Sequence, residues 1–306
     1  MITTQILTKN NEKTIERTLQ SLKSLPTEII IADLGSTDKT IEICKDLGAN
    51  IFTVKFDYNY SSIRNLIVKQ SKTEWQMMIH PWEALDEDVR QIKEALSHTE
   101  NCKLLVLKGD LLTKELRLWR KGTAVFDRPV YENLEPTVGK TLNVMVYSDI
   151  AGGLGMTHEI LMQWKERFPL SAEPDYYLAC TYLMHRKYDD FLRVAEHYLF
   201  LKNTSDESVL LLRYYLSLVN CYIKRNPNKS LTNIMECIGS KPLMAEFWCM
   251  LGDIYLHMKE FERATSFYQN AILMGSKRDP NDEMPMELSK YDEYPQKMIT
   301  AIGKAH

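Results

Sequence analysis

Basic side chains never gather into a run anywhere in the 306 residues: 38 Lys and Arg stand against 41 Asp and Glu, and both signs are spread through both halves. A net charge of −3 without a basic stripe excludes the electrostatic footprint of a nucleic-acid binder. No C-x-x-C pair and no Cys/His group at zinc spacing occurs; Cys44, Cys102, Cys180, Cys221, Cys237 and Cys249 fall singly within apolar patterns and read as buried thiols. No window reaches the roughly 18 apolar residues of a membrane span. The stretch Met1–Leu7 lacks the charged lead and long apolar run of a signal peptide, so a cytoplasmic protein without a transmembrane segment is expected. No Gly-x-Gly-x-x-Gly follows any strand pattern, which sets aside a conventional dinucleotide-binding fold.

What is present is the composition of a folded globular chain, 44% hydrophobic and 26% charged, long enough for two domains. The first half alternates short apolar strands with amphipathic helices. Ile2–Thr8, 28–33, 50–55, 75–79 and 103–107 read as strands. Between them come a helix with Ile15, Thr18, Leu19 and Leu22 on one face, one carrying Ile41, Cys44 and Leu47, and one over 62–70. A further helix over 86–97 turns Val89, Ile92 and Leu96 inward. This order predicts an α/β domain with a mostly parallel sheet covered on both faces and its ligands at the carboxyl ends of the strands.

After about Gly155 the pattern becomes all-helical and repeats. Trp248-x-x-Leu251-Gly252-x-x-Tyr255, with Ala264, Tyr268 and Ala271, fits the tetratricopeptide pattern; looser copies use Tyr215, Leu218 and Tyr222, and Leu178, Ala179, Tyr182, Tyr188 and Ala195. One helix pair cannot bury its apolar face alone, so about three stacked repeats are expected, with the 202–207 loop absorbing the longer spacing before Tyr222. The domains expected are therefore 1–155, 156–278 and a polar, proline-containing tail, 279–306, either poorly ordered or docked.

Five segments of the first half occur in the order found in family-2 glycosyltransferases of the GT-A fold, which the chain resembles over roughly residues 1–150. Thr8-Lys-Asn10-Asn-Glu12 is similar to the family's Asn-Glu loop against the nucleotide, and Asp33-Leu-Gly-Ser-Thr-Asp38 to its Asp-x-x-Ser-x-Asp turn. The resemblance implies that Asp33 accepts the imide N–H of uracil, chemistry suited to a carboxylate at a strand end. Ser62-Ile-Arg64-Asn65 resembles the family's Ala-Arg-Asn, which implies that Arg64 reaches the base or phosphates. Arg117-Leu-Trp-Arg120 and Val130-Tyr131-Glu132 are similar to Arg-Leu-Phe-Arg and Val-His-Glu.

The departure lies in Trp75-Gln-Met-Met-Ile-His80-Pro81-Trp82-Glu83. The family's Trp-x-x-x-Leu-Asp-x-Asp-Glu places His80 and Trp82 where its metal-holding aspartates stand and keeps only Glu83. Imidazole and indole do not reproduce the hard oxygen ligation of Mg²⁺, although His80 is compatible with Mn²⁺. The expected metal set is thus none, with Mn²⁺ or Mg²⁺ entering only if a site survives; Asp86 and Asp88 offer a downstream Asp-x-Asp that suits a helix cap. The resemblance implies transfer of a sugar from a nucleotide donor, UDP-linked, to a peptide, protein or glycan. Glu83 or Glu132 would then be the base, and the helical repeats would hold the acceptor or pair two subunits. The competing expectation is a degenerate transferase homologue serving as a binding scaffold through its repeats, motivated by His80, Trp82 and Tyr131.

Overall fold

The computed structural model describes residues 1–98, 100–149, 157–202 and 206–305. The chain divides into two compact units, Met1–Leu161 and Met162–His306. The boundary expected at 155, and the glycines from 152 to 155, lie outside the described residues.

The first unit contains β1 (Ile2–Thr8), α1 (Ile15–Ser21), β2 (Thr27–Asp33), α2 (Thr40–Asp46), β3 (Asn50–Thr53), α3 (Tyr60–Gln70), β4 (Trp75–Met78) and β5 (Glu83–Leu85). These are followed by α4 (Arg90–Ala95), β6 (Cys102–Lys108), β7 (Leu111–Arg120), β8 (Val125–Asp127), β9 (Asn133–Glu135) and β10 (Lys140–Ser148). Eight strands run in the order β3-β2-β1-β4-β7-β6-β10-β5. β3, β2, β1 and β4 are mutually parallel, β7 is antiparallel to both β4 and β6, and β5 is antiparallel to β10. The parallel half matches the alternation of strand and helix in the sequence, and the antiparallel half makes the sheet mixed. β8 and β9 form a separate hairpin.

β1 is central to the parallel half and buried along its whole length. Covering on both faces is why its polar residues Thr3, Thr4, Gln5 and Thr8 are buried along with Ile2, Ile6 and Leu7. Two of its interior polar residues are partnered, Thr3 with Thr73 at 2.6 Å and Thr4 with Thr27 at 2.7 Å. Ile2, Ile6, Ile15, Leu19, Ile31 and Leu118 form the main core of the unit. α4 begins at Arg90, four residues later than the sequence pattern suggests. Asp86 accepts from the Asp88 N–H and Asp88 from the Arg90 N–H, so these side chains hold a turn ahead of the helix.

α5 (Thr157–Arg167) crosses the division between the units. The second unit is helical: α6 (Glu173–Met184) with α7 (Tyr188–Leu201), α8 (Glu207–Leu218) with α9 (Pro227–Ser240), and α10 (Ala245–His257) with α11 (Phe261–Gly275), then α12 (Glu293–Ala305). These are the repeat hairpins the aromatic spacing predicts. A π-helical turn, Val219–Ile223, extends α8 and carries Tyr222, so part of the irregular spacing arises there. The loop expected to absorb it lies partly outside the described residues. Gly252 explains the tight crossing of α10 on α11: a Cβ there would stand 2.7 Å from the Tyr268 ring. α12 closes the array, with Ile302 packing against Ala264 and Tyr268. Tyr291 donates to Glu246 at 2.7 Å, and Tyr294 and Tyr268 each donate to Asp253 at 2.6 Å.

Candidate active site

The register of the parallel strands brings their carboxyl ends together: Thr8 lies beside Asp33, Asp33 beside Thr53, and Gln5 beside Met78. The loops leaving this edge carry the residues singled out from sequence. Asp33 is buried, and its carboxylate accepts the N–H of Gly35 at 3.2 Å and of Ser36 at 3.0 Å, a turn that Gly35 permits by adopting φ +91°. Two backbone N–H groups leave acceptor capacity on an ionised carboxylate.

The loop after β1 is tied to the one after β2. Thr8 Oγ1 donates to Asn11 at 2.9 Å; the Asn10 N–H donates to Ser36 Oγ at 3.0 Å, and Asn10 Oδ1 accepts from the Thr37 N–H at 2.8 Å. Glu12 donates its N–H to Asp38 and accepts the Lys39 N–H, each at 3.1 Å. Thr8, Asn10, Glu12 and Asp33 are thus one preorganised pair of loops. Asn10 and Glu12 are exposed, whereas Thr8 is buried.

α3 is attached to the same edge by Ile63 and Ile67, which pack with Leu7, Ala32 and Leu34. The next residue, Arg64, is fully buried and donates from Nε to Glu132 Oε1 at 2.7 Å. Its guanidinium also lies over the Phe126 ring, 5.5 Å from the centroid. Glu132 sits just before β9 in the hairpin, which is pinned to α3. Asn65 bonds the Phe126 backbone in both directions at 2.8 and 3.0 Å, Ser61 donates to the Asp127 carbonyl at 2.7 Å, and the Tyr60 N–H to that of Pro129 at 2.9 Å. The Ser-Ile-Arg-Asn segment and the Tyr-Glu segment, far apart in sequence, are therefore one assembly. Burial pushes the Glu132 carboxyl up, but the Arg64 guanidinium bonded to it outweighs this and holds the carboxyl below its ordinary range. The Tyr60 hydroxyl is raised by burial and by the Glu132 charge.

His80 and Trp82 follow β4. Their rings stack at 4.9 Å with an interplanar angle of 3°, both half-buried. Glu83 turns inward instead: Oε1 accepts from Arg117 Nη2 at 2.9 Å, and Oε2 accepts from Arg117 Nη1 at 3.1 Å and from the His80 N–H at 2.8 Å. Arg117 also holds Glu115, two residues away on the same face of β7, at 2.8 Å. Burial, then Arg117 and Arg64, push the His80 imidazole down to about 3, so it is neutral at physiological pH.

The donor set at the expected metal position does not fit Mg²⁺ or Mn²⁺. Glu83 has both oxygens engaged, His80 stacks on Trp82, Asp86 holds the Asp88 N–H, and Asp88 is clamped by Arg90 at 2.6 Å. Among the described residues no group of three His, Cys, Asp or Glu side chains is placed to hold a metal ion. Two surface cavities lie along α4 and the start of β10, lined by residues such as Gln91, Glu94, His98 and Lys140; their linings contain none of the predicted site residues. The sequence reading had no role for Arg117, Glu115 or Asn65. The available signal was the pair of opposite charges at i and i+2 on one strand face, unusual for a strand interior.

Residues 5–81 match the model of glycosyl transferase family 2. The match runs from within β1 to the loop after β4. An uncharacterized glycosyltransferase of Rickettsia typhi is 30% identical over 153 residues, covering 45% of this chain and 52% of the relative; its counterpart in Rickettsia prowazekii is 29% identical over the same length and coverage. The chain thus spans about half the length of these curated relatives. Among solved structures, S. aureus TarS 1–349 is similar over 100% of this chain and 92% of its own, with a TM-score of 0.41 and 12% identity. MamA of Desulfovibrio magneticus is similar over 48% of this chain and 78% of its own, with a TM-score of 0.38 and 16% identity. No helix among the described residues is long and apolar enough to cross a membrane.

Proposed function

We propose that the family-2 unit transfers a sugar from a UDP-linked donor to an acceptor hydroxyl or thiol on a peptide, protein or glycan, with Glu132 as base. The observation that carries this reading is the convergence, at one sheet edge, of the interlocked Asp33 and Thr8–Glu12 loops with the buried Arg64–Glu132 pair. Asp33 reads the uracil imide with its remaining acceptor capacity, and the Thr8–Glu12 loop lies against the nucleotide. Glu132 takes the acceptor proton as the acceptor atom bonds to the anomeric carbon, and the bond from that carbon to the diphosphate oxygen breaks, releasing the nucleoside diphosphate. Of the two carboxylates singled out from sequence, Glu83 is the positioning one: three N–H donors occupy its oxygens, which leaves Glu132 for proton transfer. The helical unit presents the acceptor or a second copy of the chain.

The neutralising Arg64–Glu132 pair also suits the second reading, a non-catalytic homologue that works through its repeats. Calorimetric titration of the full chain with UDP and GDP separates the two. Micromolar UDP binding that Asp33→Ala removes supports the transferase; binding of neither nucleotide moves the assignment to the scaffold.

A further inference from the structure

We infer that this site binds its nucleoside diphosphate without a divalent cation, because the loop that would hold the metal has been rebuilt as a Glu83–Arg117 anchor beneath a His80–Trp82 stack. The inference rests on the proposed donor chemistry and specifies how that site meets the diphosphate charge.

The acidic residue kept from the metal motif is unavailable as a ligand. Glu83 and Arg117 side chains are each only 2% exposed, and the pair is bidentate. Drawing Glu83 onto a cation would strand a buried guanidinium, and a cation beside the pair would face that guanidinium at close range. The two positions that carried the other ligands hold rings packed face to face, one an indole with no lone pair to offer.

The same cluster retains unspent cationic donors. Arg64 Nη1 and Arg117 Nε are buried and have no hydrogen-bond partner among the described residues. A buried guanidinium N–H left unpaired is costly, and a phosphate oxygen is the acceptor its geometry suits. Arg64 is placed for this role by α3, whose first turns stand at the carboxyl edge of the sheet next to the Asp33 loop. A fixed guanidinium would then do at the diphosphate what a metal ion does elsewhere: offset the charge that grows on the leaving group.

The test is UDP titration of the full chain in two buffers, one with Mn²⁺ and one with EDTA, paired with electron paramagnetic resonance of Mn²⁺ in the presence of protein and UDP. The expected result is an affinity that differs by less than about threefold between buffers, with no more Mn²⁺ captured than UDP alone captures. Tightening by Mn²⁺ of about threefold or more, or a protein-bound Mn²⁺ signal, overturns the inference while leaving the donor assignment in place. Absence of UDP binding in both buffers overturns the donor assignment itself, and this inference with it.

Discussion

Replacing Arg117 by Met removes one half of the Glu83 pair and leaves a carboxylate in a position 2% exposed to solvent. The geometry sets the expected cost. Arg117 supplies two of the three donors to Glu83, at 2.9 and 3.1 Å, and only the His80 N–H at 2.8 Å would remain. Breaking a buried pair from one side costs about 3–5 kcal/mol. For a unit of this size that corresponds to a melting-point loss on the order of 10 °C. Removing both charges differs in kind, because no buried ion is left uncompensated. Arg117→Met combined with Glu83→Gln, in which the amide oxygen still accepts from His80, should therefore be more stable than Arg117→Met alone by about 1–3 kcal/mol. Thermal and urea unfolding followed by tryptophan fluorescence and circular dichroism measure both variants. If Arg117→Met unfolds within about 1 kcal/mol of the unaltered chain, the anchor assigned to Glu83 does not exist as described.

The depressed His80 pKa makes a pH prediction. A neutral buried imidazole binds its proton more readily once unfolded, so its contribution is complete above the ordinary value of 6.5 and is lost as pH falls towards about 3. Between pH 7 and pH 5 the unaltered chain should lose up to about 2 kcal/mol more stability than His80→Gln, measured by urea unfolding at each pH. In the helical unit, Gly252→Ala forces a methyl to within 2.7 Å of a Tyr268 ring that is fully buried and held by its bond to Asp253; a loss of about 1–3 kcal/mol is expected by thermal melting. Tyr294→Phe removes a 2.6 Å donor from the buried Asp253, whose Oδ2 already lacks a partner among the described residues; it should cost about 1–3 kcal/mol and free α12, seen as faster amide exchange there.

The parts of the fold legible in the sequence are those where one physical rule dominates. β1, β2 and α3 fall within a residue or two of their expected bounds, because doubly covered strands and an amphipathic helix leave clear periods. The hairpins α6–α7, α8–α9 and α10–α11 follow from aromatic and small residues at repeat spacing, Gly252 and Tyr268 above all. β7 is harder to read: Lys114, Glu115 and Arg117 lie in mid-strand and mask the pattern, and the Arg117 charge is met by Glu83 and Glu115 rather than by water. The tail reads as polar and broken by prolines, yet it forms α12, because Tyr291 and Tyr294 find buried acceptors on α10 that no local pattern encodes. At the site, the Asp33 turn and Arg64 are visible as motifs; that Arg64 meets Glu132, and that Glu83 meets Arg117, depends on strand order and on a hairpin folding back over α3.

Sugar-nucleotide turnover tests the central claim most directly. The full chain would be incubated with UDP- and GDP-linked sugars in EDTA, without acceptor, and release of the nucleoside diphosphate followed over time. Slow release from at least one UDP-sugar is predicted, water standing in for the acceptor, and Glu132→Gln should abolish it while leaving UDP binding intact. Release that continues undiminished in Glu132→Gln, or none from any donor by a chain that is folded and binds UDP, would contradict the account.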